Sequence, residues 1–285
     1  MQLEHSVIPI AGLSAPLRLF HITDMHLTEV SEEDSEYAKA HAIPRTRCFS
    51  LVQNMDTRTI FQELLEKSRQ LNSDCVVMTG DIIDFPSKGN LACIKKSLSS
   101  LPSYFYTVGN HDWCYPIYDP PTTEIRARFL PMVEKATGFS SGFVSKQLGE
   151  VLLVGIDNGY YQITQQQYEQ VETALKQGLP TLLFCHVPLY CPTLCPDTVK
   201  VWKAPILMGC PEIEYKGKSF GNNELPPQPI TAAFLNLLQN AHNLVAIIAG
   251  HVHFSHNDLF APGKPQLVTG CSAYNIGRII DLVQG

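Results

Sequence analysis

Residues 74–84 read DCVVMTGDIID, in which an apolar run ends at Gly80 and two aspartates, Asp81 and Asp84, follow the glycine. A short apolar run without polar alternation is typical of a strand that is covered on both faces. Four further runs resemble the one that ends at Gly80, and each is predicted to be a buried strand: 17–23, 103–108, 180–185 and 244–249. Residues 142–147 and 151–156 are expected to pair as a hairpin.

Helical patterns lie between these strands. Residues 57–71 carry apolar side chains at helical spacing, and Asp56 precedes them as an expected N-cap. Residues 165–177 follow Thr164 in a capping-box pattern, and residues 230–241 form a third, largely apolar helix. Because strands and helices alternate along the chain, the sequence predicts a layered α/β fold.

Two longer stretches lack such patterns. Residues 28–47 are first acidic and then basic, and residues 187–229 are rich in proline. We interpret both as loops that lie over the surface rather than as separate domains. The prediction is therefore one domain over residues 1–285, with an excursion at 187–229.

The composition narrows the possible partners. Of the 285 residues, 45% are hydrophobic and 17% are charged, which is ordinary for a globular protein. The net charge of −6, without a run of Lys or Arg, argues against a nucleic-acid partner. No apolar run approaches the roughly 20 residues that span a bilayer. An odd number of cysteines, nine, and the lack of a secretion signal favour a cytoplasmic protein without membrane partners.

Polar residues follow each of the five predicted strands. Ligands of open α/β sheets bind beyond the carboxyl ends of the strands, where these side chains would meet. Each fragment alone has an ordinary explanation, since Asp24 and His26 could belong to a capped turn and His186 could be a hydrogen-bonded core residue. Together they predict a metal site built from Asp24-Met25-His26, Gly80-Asp81-Ile82-Ile83-Asp84, Gly109-Asn110-His111-Asp112, His186 and Gly250-His251-Val252-His253.

The order of these motifs, D-x-H, G-D-x-x-D, G-N-H-D, H and G-H-x-H, resembles the calcineurin-like metallophosphoesterase superfamily. The resemblance implies a four-layer α/β sandwich of two mixed β-sheets flanked by helices. Phe85 follows Asp84, where the protein serine/threonine phosphatases carry arginine, and His111 stands where diacylglucosamine pyrophosphate hydrolases carry arginine. The chain is therefore most similar to the small bacterial-type phosphoesterases and cyclic nucleotide phosphodiesterase-like proteins.

The resemblance also implies two metal ions, divalent or of mixed valence, with Mn, Fe, Zn and Ni as candidates. Asp81 would bridge the ions. A metal-bridging hydroxide would attack the phosphorus while the ions hold the phosphate oxygens. The implied ligands of the first ion are Asp24, His26 and His253, and those of the second ion are Asn110, His186 and His251.

Two further residues are implied to be catalytic. His111 is similar to the family's histidine that protonates the leaving oxygen, and Asp84 would orient and charge it. Asp112 could share this orienting role. Guanidinium groups suit phosphate oxygens, so two arginines are added to the substrate contacts. The candidate contacts are Asn110, His111, Arg45 and Arg47.

The predicted function is hydrolysis of a small phosphomonoester or phosphodiester. A nuclease that uses the same metals is the alternative, and a scaffold without catalysis is a third reading that the complete ligand set disfavours. Because residues 187–229 begin directly after His186, we expect them to form a lid or pocket wall that selects the substrate. A connecting loop away from the site is the competing interpretation.

Overall fold

The computed structural model describes residues 1–49, 55–116, 122–215, 218–220 and 227–285. Its strands, in chain order, are β1 (Gln2–Ile10), β2 (Leu17–Ile22), β3 (Cys75–Thr79), β4 (Tyr104–Thr107), β5 (Phe143–Leu148), β6 (Val151–Ile156), β7 (Thr181–Phe184), β8 (Ile213–Tyr215), β9 (Lys218–Phe220), β10 (Leu244–Ala249), β11 (His256–Ala261), β12 (Lys264–Val268) and β13 (Ile276–Gln284). The helices are α1 (Glu36–Phe49), α2 (Thr57–Gln70), α3 (Lys88–Ser99), α4 (Thr123–Thr137), α5 (Gln165–Leu175), α6 (Leu194–Trp202) and α7 (Pro229–Asn240), with a 3-10 turn at Ser272–Tyr274.

The strands form two large sheets and a small hairpin of β8 and β9. The first sheet has the order β1-β13-β2-β3-β4, and only β13 and β2 pair antiparallel within it. The second has the order β11-β12-β10-β7-β6-β5, with antiparallel pairs at both edges and parallel pairs between them. Both sheets are therefore mixed, and the five predicted strands and the predicted hairpin are confirmed.

The two sheets pack face to face, with helices on their outer faces. Leu19, Val77 and Phe105 of the first sheet share one buried cluster with Leu153, Phe184 and Ile248 of the second. The outer face of the first sheet packs on α2, α3 and α4, and that of the second packs on α5 and α7. The order of layers is therefore helix, sheet, sheet, helix, which confirms the predicted four-layer sandwich.

The predicted helix caps are present. The Asp56 carboxylate accepts a hydrogen bond from the Thr59 amide at 2.6 Å and begins α2. Thr164 and Gln167 form the expected capping box of α5, and α7 begins at Pro229. Among the described residues, every helix is too short or too polar to cross a membrane.

The interpretation of residues 28–47 as a surface loop is wrong for its second half, because α1 begins at Glu36. Apart from Phe49 at its end, the buried residues of this helix are small or polar (Ala38, His41 and Ala42), so no apolar stripe marks it in the sequence. Pro44 lies in its interior and cannot donate a backbone hydrogen bond, which usually indicates a helix end. Contacts with the rest of the fold override both signals.

Residues 187–229 are also not a plain loop. They contain α6 and the hairpin of β8 and β9. Pro196 is compatible with α6 because it lies in the first turn, where backbone amides have no partner within the helix. Leu194 and Val199 of α6 pack on Val252 and Val268, so this excursion has an apolar anchor on the main fold.

Candidate metal centre

The predicted ligands meet where the carboxyl ends of the two sheets face each other. The Nδ1 atom of His186, after β7, lies 2.8 Å from the carbonyl oxygen of Thr79 at the end of β3. In the opposite direction, the backbone amide of His251, after β10, donates to Asp24 Oδ2 at 2.8 Å. Backbone groups of each sheet therefore form hydrogen bonds with predicted ligands that follow strands of the other sheet.

One group of side chains comprises Asp24, His26 and His253, whose potential ligand atoms lie within 4.8 Å of one another. His253 Nε2 lies 3.3 Å from Asp24 Oδ1 and 3.1 Å from His26 Nε2. Asp24 Oδ2 accepts hydrogen bonds from Thr23 Oγ1 and from the His251 amide, while its buried Oδ1 has no hydrogen-bond partner. Oδ1 is therefore available to a cation.

A second group comprises Asp81, His186 and His251. His186 Nε2 lies 3.1 Å from Asp81 Oδ2 and 3.1 Å from His251 Nδ1. Tyr161 stands on the other side of the His251 ring, with its hydroxyl 2.8 Å from Nε2. Asn110, in the loop after β4, has a buried Oδ1 without a hydrogen-bond partner. An unpaired buried amide oxygen is expensive unless it meets a cation.

Asp81 connects the groups. Besides its contact with His186, it forms a third potential metal-binding group with His26 and His111. Its Oδ1 accepts a hydrogen bond from the His111 amide at 2.8 Å, and its Oδ2 lies 4.0 Å from His111 Nε2. The carboxylate therefore lies between the two groups and contacts histidines of both.

The ring nitrogens of two histidines can be assigned from their partners. A carbonyl oxygen only accepts, so His186 Nδ1 donates to Thr79 and the Nε2 of the neutral ring carries a lone pair. His26 Nδ1 donates in the same way to Asp84 Oδ1 at 2.8 Å. In their neutral forms both rings therefore direct an Nε2 lone pair toward the other predicted ligands, about 3 Å from a nitrogen of His253 or His251. A lone pair in this position can bind either a metal ion or a proton.

The pKa values follow from this concentration of buried acceptors. Burial alone would lower the pKa of His186, but Asp81 and Asp24 outweigh it and raise that pKa to about 10, so without a metal ion Nε2 holds a proton beside Asp81. Burial and the neighbouring His186 lower the pKa of His251 to about 3. Burial works to raise the carboxyl pKa of Asp81, yet the surrounding histidines hold it below its ordinary value. The buried carboxylates remain charged, so the site favours positive charge.

The backbone of the site is strained. A left-handed conformation costs a residue other than glycine on the order of 1–3 kcal/mol. In the described part of the chain, nine residues other than glycine have this conformation, and five of them are predicted metal ligands: Asp24 (φ 53°), His26 (φ 47°), Asp81 (φ 51°), His251 (φ 70°) and His253 (φ 62°). Strain of this kind persists where surrounding contacts impose it, and it concentrates at functional sites.

The loops approach one another so closely that one glycine has no substitute. A Cβ atom at Gly250 would lie 2.0 Å from Thr23 Oγ1 and 2.4 Å from Asp24 Oδ2. These distances are far below van der Waals contact, so any side chain at this position must displace Thr23 and Asp24. Gly250 therefore permits the contact between the loop after β10 and the Asp24 carboxylate.

Asp84 lies beneath the site and is fully buried. Its Oδ1 accepts from His26 Nδ1 and lies 3.0 Å from His111 Nδ1. Arg45 of α1 donates to the same carboxylate through Nε at 2.5 Å and Nη2 at 2.6 Å. Burial acts to raise the carboxyl pKa of Asp84, but Arg45 and the two histidines hold it well below its usual range. One carboxylate thus orients two imidazole rings.

The other predicted residues have different surroundings. Burial would lower the pKa of His111, but Asp81 and Asp84 outweigh it and leave that pKa above its ordinary value. Asp112 accepts from the backbone amides of Asp81, Ile83 and Gly109, so it holds the loops rather than His111. Arg47 is exposed on α1 and does not line the cleft described next.

A cleft of about 380 Å³ opens above these residues. Phe49, at the end of α1, stacks on His26 with ring centroids 4.3 Å apart and planes 7° apart. Trp202 and Ile206 of the 187–229 excursion form part of the wall, and Arg45 and His111 also line the cleft. Neither Phe49 nor Tyr161 lies in a motif, so no feature of the sequence pointed to them.

A buried histidine outside the predicted ligand set supports the position of His186. His21 in β2 has Nε2 2.7 Å from Thr79 Oγ1 and Nδ1 2.7 Å from Thr269 Oγ1, which itself accepts from Arg278 Nε. Burial and the nearby Arg278 lower the pKa of His21 to about 3, so the ring is neutral. This polar chain holds Thr79, whose carbonyl group fixes the His186 ring.

A family model described as calcineurin-like phosphoesterase matches residues 17–255, which include every predicted ligand. The chain belongs to the calcineurin-like phosphoesterases. It is accordingly a metal-dependent phosphoesterase, and its family depends on a dinuclear metal centre. No curated protein matches the chain closely enough to count as a relative.

Solved structures of phosphatases share the fold of this calcineurin-like phosphoesterase. A dimetal phosphatase from Danio rerio is 14% identical with a TM-score of 0.54, over 90% of this chain and 88% of that one. A purple acid phosphatase from yellow lupin (Lupinus luteus) seeds is 15% identical with a TM-score of 0.55, over 93% of this chain and 46% of that one. At these identities the likeness concerns the fold alone.

Proposed function

We propose that this phosphoesterase hydrolyses a small phosphomonoester or phosphodiester with two transition metal ions, for which Mn, Fe, Zn and Ni are candidates. The observation that carries the proposal is the convergence of buried acceptors on both sides of Asp81, including the unpartnered Asp24 Oδ1 and Asn110 Oδ1. When bound, such an ion pair lowers the pKa of water and clamps phosphate oxygens. The proposed ligands are Asp24, His26, Asp81, Asn110, His186, His251 and His253.

His111 is the proposed general acid. Its Nδ1 is engaged by Asp84, so its Nε2 is left to hold a proton for a leaving oxygen. The side chain is 18% exposed and lines the cleft, which gives a substrate access to it. With Asn110 it is also proposed to contact the substrate phosphate. Asp84 acts through His111 as a positioning residue.

Arg45 is proposed to act mainly through Asp84. Its Nε and one terminal nitrogen are engaged with that carboxylate, although the guanidinium also lines the cleft beside the predicted phosphate position. Arg47 is exposed outside the cleft lining, which favours Arg45 of the two arginines as the nearer to a phosphate. The Arg45 side chain therefore supports the acid and contributes positive charge to the site.

The charge of the cleft favours small esters over nucleic acid. Among the described residues that line it, Arg45 is the one lysine or arginine, and its guanidinium is shared with Asp84. A nucleic-acid groove needs several such side chains to displace counterions from successive phosphates. The net charge of −6 agrees with this preference.

The excursion at 187–229 is proposed to be a pocket wall within one domain of residues 1–285. Trp202 supports this, because its ring lies 5.1 Å from the His253 ring at 85°. Its indole Nε1 also donates to the Val252 carbonyl oxygen at 2.8 Å, which fixes α6 beside the predicted ligands. A loop directed away from the site would make neither contact.

The test is metal analysis combined with turnover. Chelator-stripped protein is loaded with Mn²⁺, and hydrolysis of 4-nitrophenyl phosphate, bis(4-nitrophenyl) phosphate and a single-stranded oligonucleotide is measured. We expect about two ions per chain and ester hydrolysis that chelator abolishes. Asp81→Asn should lose most of the metal and about 1000-fold in kcat. Asp281→Asn serves as the matched control, because Asp281 lies on β13 outside the cleft and contacts His5 and Arg18. Undiminished hydrolysis in chelator would refute the proposal, and faster cleavage of the oligonucleotide would favour the nuclease.

A further inference from the structure

Trp202 is an apolar side chain that the fold holds at the mouth of the cleft without covering it. Its side chain is 41% exposed, although its indole N–H is bonded to Val252 and its ring contacts His253. Exposed tryptophan surface that is also fixed in position is typical of a binding contact. The ring is therefore preorganised for something that the fold itself does not supply.

The neighbouring surface of the cleft is also apolar or aromatic. Ile206, Tyr161 and Tyr274 are partly exposed along its wall, and Phe49 is buried beneath it against His26. A volume of about 380 Å³ is in the range of pockets that bind small organic molecules, so the cleft has room beyond the phosphate. The part of a substrate that extends from the phosphate must meet this wall.

The small number of cationic side chains in the cleft limits how many charged groups a substrate can carry. Additional phosphate or carboxylate groups on a substrate need free cationic side chains, and Arg45, the one lysine or arginine among the described lining residues, is bound to Asp84. A sugar needs a series of polar partners, whereas the wall around Trp202 offers mostly carbon. The wall therefore matches a substrate with one phosphate and an apolar remainder.

We infer that this enzyme acts on esters that join a single phosphate to an aromatic or otherwise apolar alcohol, and that Trp202 contacts the alcohol part. The inference deepens the proposed function and rests on it, because the wall selects a substrate only if hydrolysis occurs at the adjacent centre. Trp202 is a specificity residue in this view and takes no part in the chemical step.

The test compares two esters whose leaving alcohols are both unactivated, 2-phenylethyl phosphate and ethyl phosphate, on the Mn²⁺-loaded protein. The measured quantity is the ratio of their kcat/KM values, which cancels general damage to the centre. We expect a ratio of about ten or more in the natural protein, from contact of the phenyl ring with the wall. Trp202→Ala should reduce the ratio to near one, and Trp202→Phe should retain most of it.

Two further variants keep the test decisive. Ile206→Ala should lower the ratio by about threefold, so the inference can be judged even if Trp202→Ala does not fold. Val7→Ala, an exposed apolar residue of β1 outside the cleft, should leave the ratio unchanged. A ratio near one in the natural protein, or an unchanged ratio in a folded Trp202→Ala, overturns the inference while ester hydrolysis persists. Absence of metal-dependent hydrolysis of every ester overturns the proposed function as well.

Discussion

The paired contact of Arg45 with Asp84 gives the most quantitative prediction. Arg45→Met removes two charge-assisted hydrogen bonds and leaves a fully buried carboxylate with its two imidazole neighbours. Breaking a buried ion pair costs about 3–5 kcal/mol. Because His26 and His111 still contact Asp84, we expect the low end, about 3 kcal/mol of unfolding free energy. For a chain of 285 residues this corresponds to a fall in Tm of about 5 °C.

The same variant should change turnover in a characteristic way. Without Arg45, the rings of His26 and His111 lose a fixed support, so we expect kcat to fall about tenfold or more on ethyl phosphate and less on 4-nitrophenyl phosphate, whose leaving group needs no protonation. Arg45→Lys keeps the charge but not the planar pair of donors, and should recover only part of the loss.

Urea unfolding and steady-state kinetics at saturating Mn²⁺ measure both effects. Arg58→Met is the matched control, since Arg58 pairs with Glu29 at 3.1 Å on the surface, where an ion pair contributes about 0–1 kcal/mol. If Arg45→Met is no more destabilising than Arg58→Met, and if its losses are equal on both esters, the argument that Arg45 supports the acid through Asp84 is wrong.

Three further predictions follow from the same contacts. Gly250→Ala should displace Asp24 and reduce bound metal by about one ion per chain, while Gly142→Ala, which meets no atom within 4 Å, should bind metal normally in elemental analysis. His111→Ala should slow ethyl phosphate more than 4-nitrophenyl phosphate, and equal losses would make His111 a binding residue instead. Asp34→Asn should lower the unfolding free energy by about 1–2 kcal/mol, because the Asp34 carboxylate accepts from backbone amides that include those at the start of α3. Burial acts to raise the pKa of Asp34, but these hydrogen bonds outweigh it and hold that pKa below its ordinary 3.8. The difference in unfolding free energy between Asp34→Asn and the natural protein should therefore be complete above pH 3.8 and shrink as the pH falls further. A pH-independent difference in urea unfolding would contradict this assignment.

The sequence predicted the parts of the site that lie directly after buried strands. Asp24, Asp81 and His186 follow apolar runs whose parallel arrangement brings their ends together, so their convergence could be expected before any contact was known. The four-layer sandwich came from the resemblance, because the apolar runs themselves do not say how the strands divide between two sheets.

The residues that support the motifs could not be predicted in the same way. Arg45 was predicted as a phosphate contact and not as the partner of Asp84. It and Phe49 reach the site from α1, which has no apolar stripe and contains Pro44 in its interior. Tyr161 and Trp202 contact His251 and His253 from loops and helices distant in sequence. Such contacts depend on how loops pack, and neither periodicity nor spacing encodes that.

The left-handed backbone at five of the predicted ligands should affect how long the protein survives in a cell before it is degraded. At about 1–3 kcal/mol for each residue, the combined strain is comparable to the 5–15 kcal/mol that separates folded from unfolded domains. Ions that bind only the folded chain offset this strain by mass action. Newly made chains that find no metal should therefore open more often and be degraded faster, so that metal supply sets the abundance of the enzyme as well as its activity.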